Sequence, residues 1–122
     1  MMLLTLLAGC TWLSPVDPDS PCEEAGYAIA RRTFDCTADP ELANARHDRF
    51  LESTECIPLT FDEMGQVTSG PGANQGVLAE DTYHCAFIIS ELACEVVAEL
   101  GDDIAGWLEV SNACDYVVRV TP

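Results

Sequence analysis

Apolar and small residues recur at helical spacing in four stretches of the chain, and each stretch predicts a helix. The first follows Ser20-Pro21, where serine can cap a helix and proline suits its first turn. Asp39-Pro40 begins a second helix in the same way, and this helix should continue to about Thr54. Because few residues separate the two helices, they should form an antiparallel hairpin. The positions expected on the inner faces are Cys22, Ala25, Gly26, Ile29, Thr33 and Cys36 in the first helix, and Ala43, His47, Phe50 and Leu51 in the second.

The third stretch is the most apolar, and it predicts a single helix from about Thr82 to Leu100 that ends at Gly101. A helix this apolar should lie at the centre of a bundle. Its apolar positions are Phe87, Ile88, Ile89, Leu92, Val96, Val97 and Leu100. Its polar positions form one narrow stripe, made of His84, Glu91, Glu95 and Glu99.

Shorter segments complete the predicted fold. The glycine-rich segment 65–76 (GQVTSGPGANQG) should be an exposed, flexible loop. Asp102 or Asp103 should cap a short fourth helix that includes Trp107. The tail 116–120 is rich in β-branched residues, but no partner strand is evident. The pattern therefore predicts an all-α fold, a small bundle of three or four helices, in one domain over residues 21–122.

The charge of the chain narrows the range of partners. Asp and Glu number 21 against five basic residues, all of them arginine, and the net charge is −16. Such a chain repels phosphate backbones and anionic lipid surfaces, so we expect no nucleic-acid binding. We interpret the acidity as a solvated surface, with an acidic docking face as the alternative.

The first ten residues, MMLLTLLAGC, carry no charged side chain and end in Cys10. This stretch is shorter than the roughly 20 apolar residues that span a bilayer, but an apolar run followed by small residues is typical of an export signal. Leu7-Ala8-Gly9-Cys10 resembles the lipobox of bacterial lipoproteins. The resemblance implies cleavage before Cys10, a diacylglycerol on the Cys10 sulfur and acylation of the new amino terminus. Several acyl chains together anchor a protein stably in a membrane.

The resemblance also divides the chain. Residues 1–9 should be a signal peptide, and residues 10–20 a lipidated tether to the domain. No Lys or Arg precedes the apolar run, which indicates either a start further upstream or a fragment. The domain should lie outside the cytoplasm on a bacterial cell envelope, and Thr11 in place of an aspartate favours the outer membrane. The alternative interpretation is an apolar N-terminal helix with a buried Cys10.

The number of cysteines and the predicted export support one another. Of the seven cysteines, six remain once Cys10 is assigned to lipid, and an even number in an exported chain is typical of a disulfide framework. Cys85 and Cys94 are nine residues apart, so on one helix they should face opposite sides. With the folding back of the hairpin and of the chain after Gly101, this favours the pairs Cys22–Cys56, Cys36–Cys94 and Cys85–Cys114. The spacing of a zinc site or a C-x-x-C redox motif is absent from the sequence, so we expect neither.

Candidate catalytic residues are few. His47 adjoins Asp48, as a general base oriented by a carboxylate would, but no nucleophile lies at a recognisable spacing. His84 adjoins Cys85, but a cysteine in a disulfide bond is not a nucleophile.

Charged side chains give no stronger signal. Three acidic spots lack the spacing of a calcium loop: Asp17-Pro18-Asp19, Asp62-Glu63 and Asp102-Asp103. The hairpin arginines should form surface ion pairs with acids close in sequence; the arginines are Arg31, Arg32, Arg46 and Arg49, and the acids Glu24, Asp35, Asp48 and Glu52. We therefore expect no metal and no cofactor.

These features favour a non-enzymatic binding or structural module of the cell envelope, held to the membrane through lipid on Cys10. The sequence does not identify a protein partner. One alternative is an inhibitor or accessory subunit of a secreted enzyme, which would use the acidic face or the glycine-rich loop. A small hydrolase that uses His47 is the other alternative.

Overall fold

The computed structural model describes residues 20–73 and 75–121. The predicted signal peptide and the tether up to residue 19, including Cys10, lie outside the described residues. The described α-helices are α1 (Ser20–Thr37), α2 (Pro40–Ser53), α3 (His84–Ser90), α4 (Cys94–Leu100) and α5 (Ile104–Leu108). Two 3₁₀ helices span Ala79–Tyr83 and Asn112–Tyr116, and two strands are β1 (Thr54–Cys56) and β2 (Val118–Val120). The prediction of a small, mostly helical domain with three disulfides is confirmed.

The predicted hairpin is formed by α1 and α2. Asp39 caps α2, since its Oδ1 accepts hydrogen bonds from the backbone N–H groups of Glu41, at 3.0 Å, and Leu42, at 3.1 Å. The two helices approach closely at Gly26, where an added Cβ would lie 2.7 Å from ring carbons of Phe50. The absence of a side chain at position 26 therefore sets the spacing between the helices.

The inner face of α2 differs from the predicted one. It consists of Ala43, Arg46 and Phe50, whereas Leu51, expected to face the core, is 60% exposed. Arg46 is buried because its charge has partners: Nη1 donates to Thr33 Oγ1 and Nε donates to Asp102 Oδ1, each at 3.2 Å. The expected surface pairing of Arg46 with a nearby acid of the hairpin is therefore wrong.

The predicted third helix is interrupted. It begins as the 3₁₀ helix Ala79–Tyr83, continues as α3, and is broken over residues 91–93 before α4 begins. At the break, the Leu92 carbonyl accepts a hydrogen bond of 2.7 Å from Arg32 Nε of α1, and Ala93 is extended with ψ 148°. A long-range contact thus replaces the helical hydrogen bond. Because the predicted third helix is divided, residues 20–73 and 75–121 contain five short or medium-length α-helices within the predicted mostly helical fold.

The C-terminal tail has the partner strand that the sequence did not reveal. β1 and β2 pair antiparallel, with Glu55 opposite Arg119. The glycine-rich segment is a loop, as predicted, but two isolated β-bridges anchor it, Phe61 to Val67 and Gln66 to Leu78. Val67 is buried in the core, at 2% exposure.

The three disulfide bonds join Cys22 to Cys56, Cys36 to Cys94 and Cys85 to Cys114. These are the pairs that the sequence predicted. The break between α3 and α4 does not change them, because Cys85 and Cys94 still reach different partners. Trp107, fully buried in the core, donates from Nε1 to the Gly101 carbonyl at 2.9 Å and so fixes the turn after α4.

Candidate functional site

An open groove of about 510 Å³ crosses the closed end of the α1–α2 hairpin and reaches the end of α3. Its volume falls within the range of about 300–1,000 Å³ that is typical of ligand pockets. The apolar lining residues are Ala30 and Phe34 of α1 with Pro40 and Ala43 of α2. We call this surface the hairpin groove.

An exposed aromatic side chain is the main apolar feature of the hairpin groove. Phe34 is 47% exposed, on the side of α1 opposite the buried Ile29 and Thr33. Seven residues earlier on the same side, Tyr27 is also exposed and stacks on His47 of α2, with ring centroids 5.0 Å apart and planes 13° apart. Two exposed aromatic residues, Tyr27 and Phe34, therefore lie on the same outer side of α1.

Two arginines and Asp35 are the charged residues that line the hairpin groove. Arg31 is largely exposed and pairs with Glu24 at 3.5 Å. Arg32 is more buried: besides its bond to the Leu92 carbonyl, its Nη1 lies 3.7 Å from Asp35 Oδ2. Exposed ion pairs of this kind are weak, so Arg31 can exchange Glu24 for an acid on a ligand at small cost.

Each of the two histidines lies against an aromatic ring. His47 is half-buried, and its ring is engaged by Tyr27. His84 is exposed and lies against Phe87, with ring centroids 5.9 Å apart, while the adjoining Cys85 is oxidised, as expected. The contacts given for the two imidazoles are therefore with the rings of Tyr27 and Phe87.

The acidic spots have structural roles where the structure describes them. Asp103 is the cap of α5, with Oδ1 accepting from the Gly106 N–H at 3.1 Å, and Asp102 pairs with Arg46. Asp62 Oδ1 accepts from the N–H groups of Met64 and Gln66, both at 2.9 Å. Over residues 20–73 and 75–121, no three His, Cys, Asp or Glu side chains gather as metal ligands. Asp17 and Asp19 lie outside these ranges.

The structure describes six of the seven cysteines that the sequence singled out. Six cysteines form the three bridges, and Cys10 lies outside the described residues.

The hairpin groove was not predicted, although one feature of the sequence indicates it. Phe34 and Tyr27 fall on the side of the first helix away from the apolar stripe, where a large aromatic residue has no packing role.

Comparison with protein-family models, with curated proteins and with solved structures found no match to this chain. Its class is therefore defined by the fold alone: a small, mostly helical domain cross-linked by three disulfide bonds. None of the described helices is both long and apolar enough to cross a membrane.

Proposed function

We propose that the protein is an exported, lipid-anchored binding module of a bacterial cell envelope, attached to the membrane through lipid on Cys10. The observation that carries this proposal is the use of the cysteines. Three disulfides account for six of the seven, and Cys10, the last residue of the lipobox-like motif, is the seventh. Disulfide bonds persist in oxidising compartments, which an exported protein enters and a cytosolic protein does not.

The lipid anchor is tested by Cys10→Ala, with Thr11→Ala as the matched control. Cells grown with radiolabelled palmitate should label the wild type and the Thr11 variant, which should sediment with membranes. The Cys10 variant should carry no label and should leave the membrane fraction. If the Cys10 variant is still processed and acylated, the anchor is not at this residue.

The binding role is supported by the hairpin groove. An exposed Phe34 beside an exchangeable arginine offers both the apolar contact and the charge that a protein surface recognises. The groove also lies on a hairpin whose two ends are held by the Cys22–Cys56 and Cys36–Cys94 bonds, so it is preformed. The module is non-enzymatic in this proposal, and its partner is another envelope protein.

Pull-down from detergent-solubilised envelopes tests the binding role. The wild type should capture a stoichiometric partner, and Phe34→Ala should lose it. Phe87→Ala is the matched control, because Phe87 is a similarly exposed phenyl ring on α3, outside the groove lining. Retention by all variants would place the interface elsewhere. A turnover activity that is lost in His47→Ala would contradict the non-enzymatic proposal.

A further inference from the structure

The three disulfide bonds differ in their access to solvent. Both Cys85 and Cys114 are fully buried, at 0% and 1% exposure. Cys22 is also buried, with Cys56 half-buried beside it. In the third bond, Cys36 is half-buried and Cys94 is exposed. A thiolate must reach a sulfur atom to exchange with a disulfide, and Cys94 is the one exposed residue among the six bridged cysteines.

The same bond holds a particular place in the covalent structure. The Cys22–Cys56 bond closes a loop that ends before residue 57, and the Cys85–Cys114 bond closes a loop that begins at residue 85. The Cys36–Cys94 bond spans 58 residues and is the one bridge that crosses the segment 57–84. It is therefore the only disulfide that links the hairpin half of the domain to the C-terminal half.

We propose that the Cys36–Cys94 bond is a thiol–disulfide exchange site for a dithiol partner. A thiolate of the partner attacks the sulfur of Cys94, forms a mixed disulfide with it and releases Cys36 as a thiolate, which takes up a proton. The second thiolate of the partner then attacks the mixed disulfide and releases Cys94. The partner dithiol is oxidised to a disulfide and supplies the two electrons that reduce the bond. This site is independent of the proposed lipid on Cys10.

Opening this bond should loosen α4 rather than unfold the domain. In α4 the buried residue is Val97, and the Arg32 bond to the Leu92 carbonyl remains when the disulfide is gone. The other two bonds still close their own halves, and the core that α1 and α3 share contains neither Cys36 nor Cys94 among its fully buried residues.

Limited reduction of the full oxidised chain tests the proposal. The native protein is treated with dithiothreitol at increasing concentration, free thiols are blocked with iodoacetamide, and the product is cleaved with cyanogen bromide under denaturing conditions. Met64 is the one methionine beyond residue 2, so cleavage there cuts the segment that only the Cys36–Cys94 bond spans. Alkyl groups are counted on the six bridged cysteines, apart from any on Cys10. Molecules that carry two such groups should separate into two fragments, with the groups on Cys36 and Cys94.

Two variants calibrate this readout. The double variant Cys36→Ser/Cys94→Ser should yield separate fragments without any reductant, and Cys22→Ser/Cys56→Ser should remain one covalent molecule after cleavage. Both readings are made on denatured chains, so they do not depend on the stability of the variant. If the doubly alkylated wild type stays in one piece, a different bond is reduced first. If the three bonds open together, no doubly alkylated species accumulates. Either result would overturn the proposal.

Discussion

α3 and α4 arise from one apolar run of sequence and have the same length of seven residues, yet they are held in place differently. α3 is held in place by the burial of one face, because Cys85, Ala86 and Ile89 lie in the core. α4 buries only Val97. The two helices show that similar hydropathy does not produce similar burial, because position relative to α1 decides which apolar residues are covered.

The ends of α4 compensate for its exposed face. At its N-terminal end, Cys94 is bonded to Cys36 and the preceding Leu92 carbonyl is bonded to Arg32. Beyond its C-terminal end, the Gly101 carbonyl accepts from Trp107, and Asp102 is held by Arg46. A covalent bond and three polar contacts, two of them long-range, thus position a helix that packing alone would hold weakly.

Reduction of all three disulfides should give the largest effect, because each bond contributes about 2–4 kcal/mol to the free energy of unfolding. Thermal unfolding followed by circular dichroism, with and without excess reductant, should show a marked fall in the melting temperature. Hydrogen exchange in the reduced protein should show α4 losing protection before α3. Earlier loss in α3 would mean that α4 does not depend on its anchored ends.

The second-largest loss of stability should come from shortening a buried side chain of α3. Ile89→Ala removes a fully buried side chain and should lower the free energy of unfolding by about 2–5 kcal/mol. The matched change in α4 is Val96→Ala, at a position 36% exposed, which should shift stability by less than about 0.5 kcal/mol. Urea denaturation of the oxidised variants measures both. Similar costs would remove the distinction between the helices.

A substitution of Arg46 tests the contact with Asp102 that follows the C-terminal end of α4. Arg46→Met keeps much of the side-chain volume but leaves Thr33 and Asp102 without their hydrogen-bond donor, and should cost about 1–3 kcal/mol. Arg31→Met, which removes an exposed ion pair, should cost about 0–1 kcal/mol. Equal values in urea denaturation would show that burial adds nothing to the Arg46 contacts.

The smallest expected effect on stability comes from the contact between Arg32 and the Leu92 carbonyl, before the N-terminal end of α4. Arg32→Met removes the donor to the Leu92 carbonyl and should cost about 0.5–1.5 kcal/mol. Hydrogen exchange should accelerate at the amides of α4 and remain unchanged in the core of α3. Arg31→Met again serves as the control, because the ion-pair partner of Arg31 is Glu24 of the same helix. Uniform acceleration in both helices would indicate a global loss of stability instead.

Local signals in the sequence were sufficient for much of the fold. Asp39-Pro40 marks a helix start because the cap acts through the next three residues, and Asp103 acts in the same way. The disulfide pairing followed from how the hairpin folds back. The break at 91–93 could not be predicted, because it has neither glycine nor proline and depends on Arg32, about 60 residues away.

The candidate site was less accessible to prediction. Its lining comes from α1, α2 and the end of α3, and sequence spacing does not indicate how three elements meet.

The burial of Arg46 was also not predictable from the sequence. Nothing local distinguishes a buried arginine from its exposed neighbours, because its partners are Thr33 of another helix and Asp102, far along the chain. The three-residue strand Thr54–Cys56 is too short to carry an alternating pattern.

The close approach of α1 and α2 at Gly26 has a consequence for how this protein can evolve. A glycine inside a helix costs about 0.5–1 kcal/mol relative to alanine, yet a Cβ at this position would overlap the buried ring of Phe50 at 2.7 Å. A larger residue at position 26 therefore requires a smaller one at position 50, while a smaller residue at position 50 alone leaves a cavity. Descendant sequences should therefore change positions 26 and 50 together or keep both residues, so these two positions should covary in evolution.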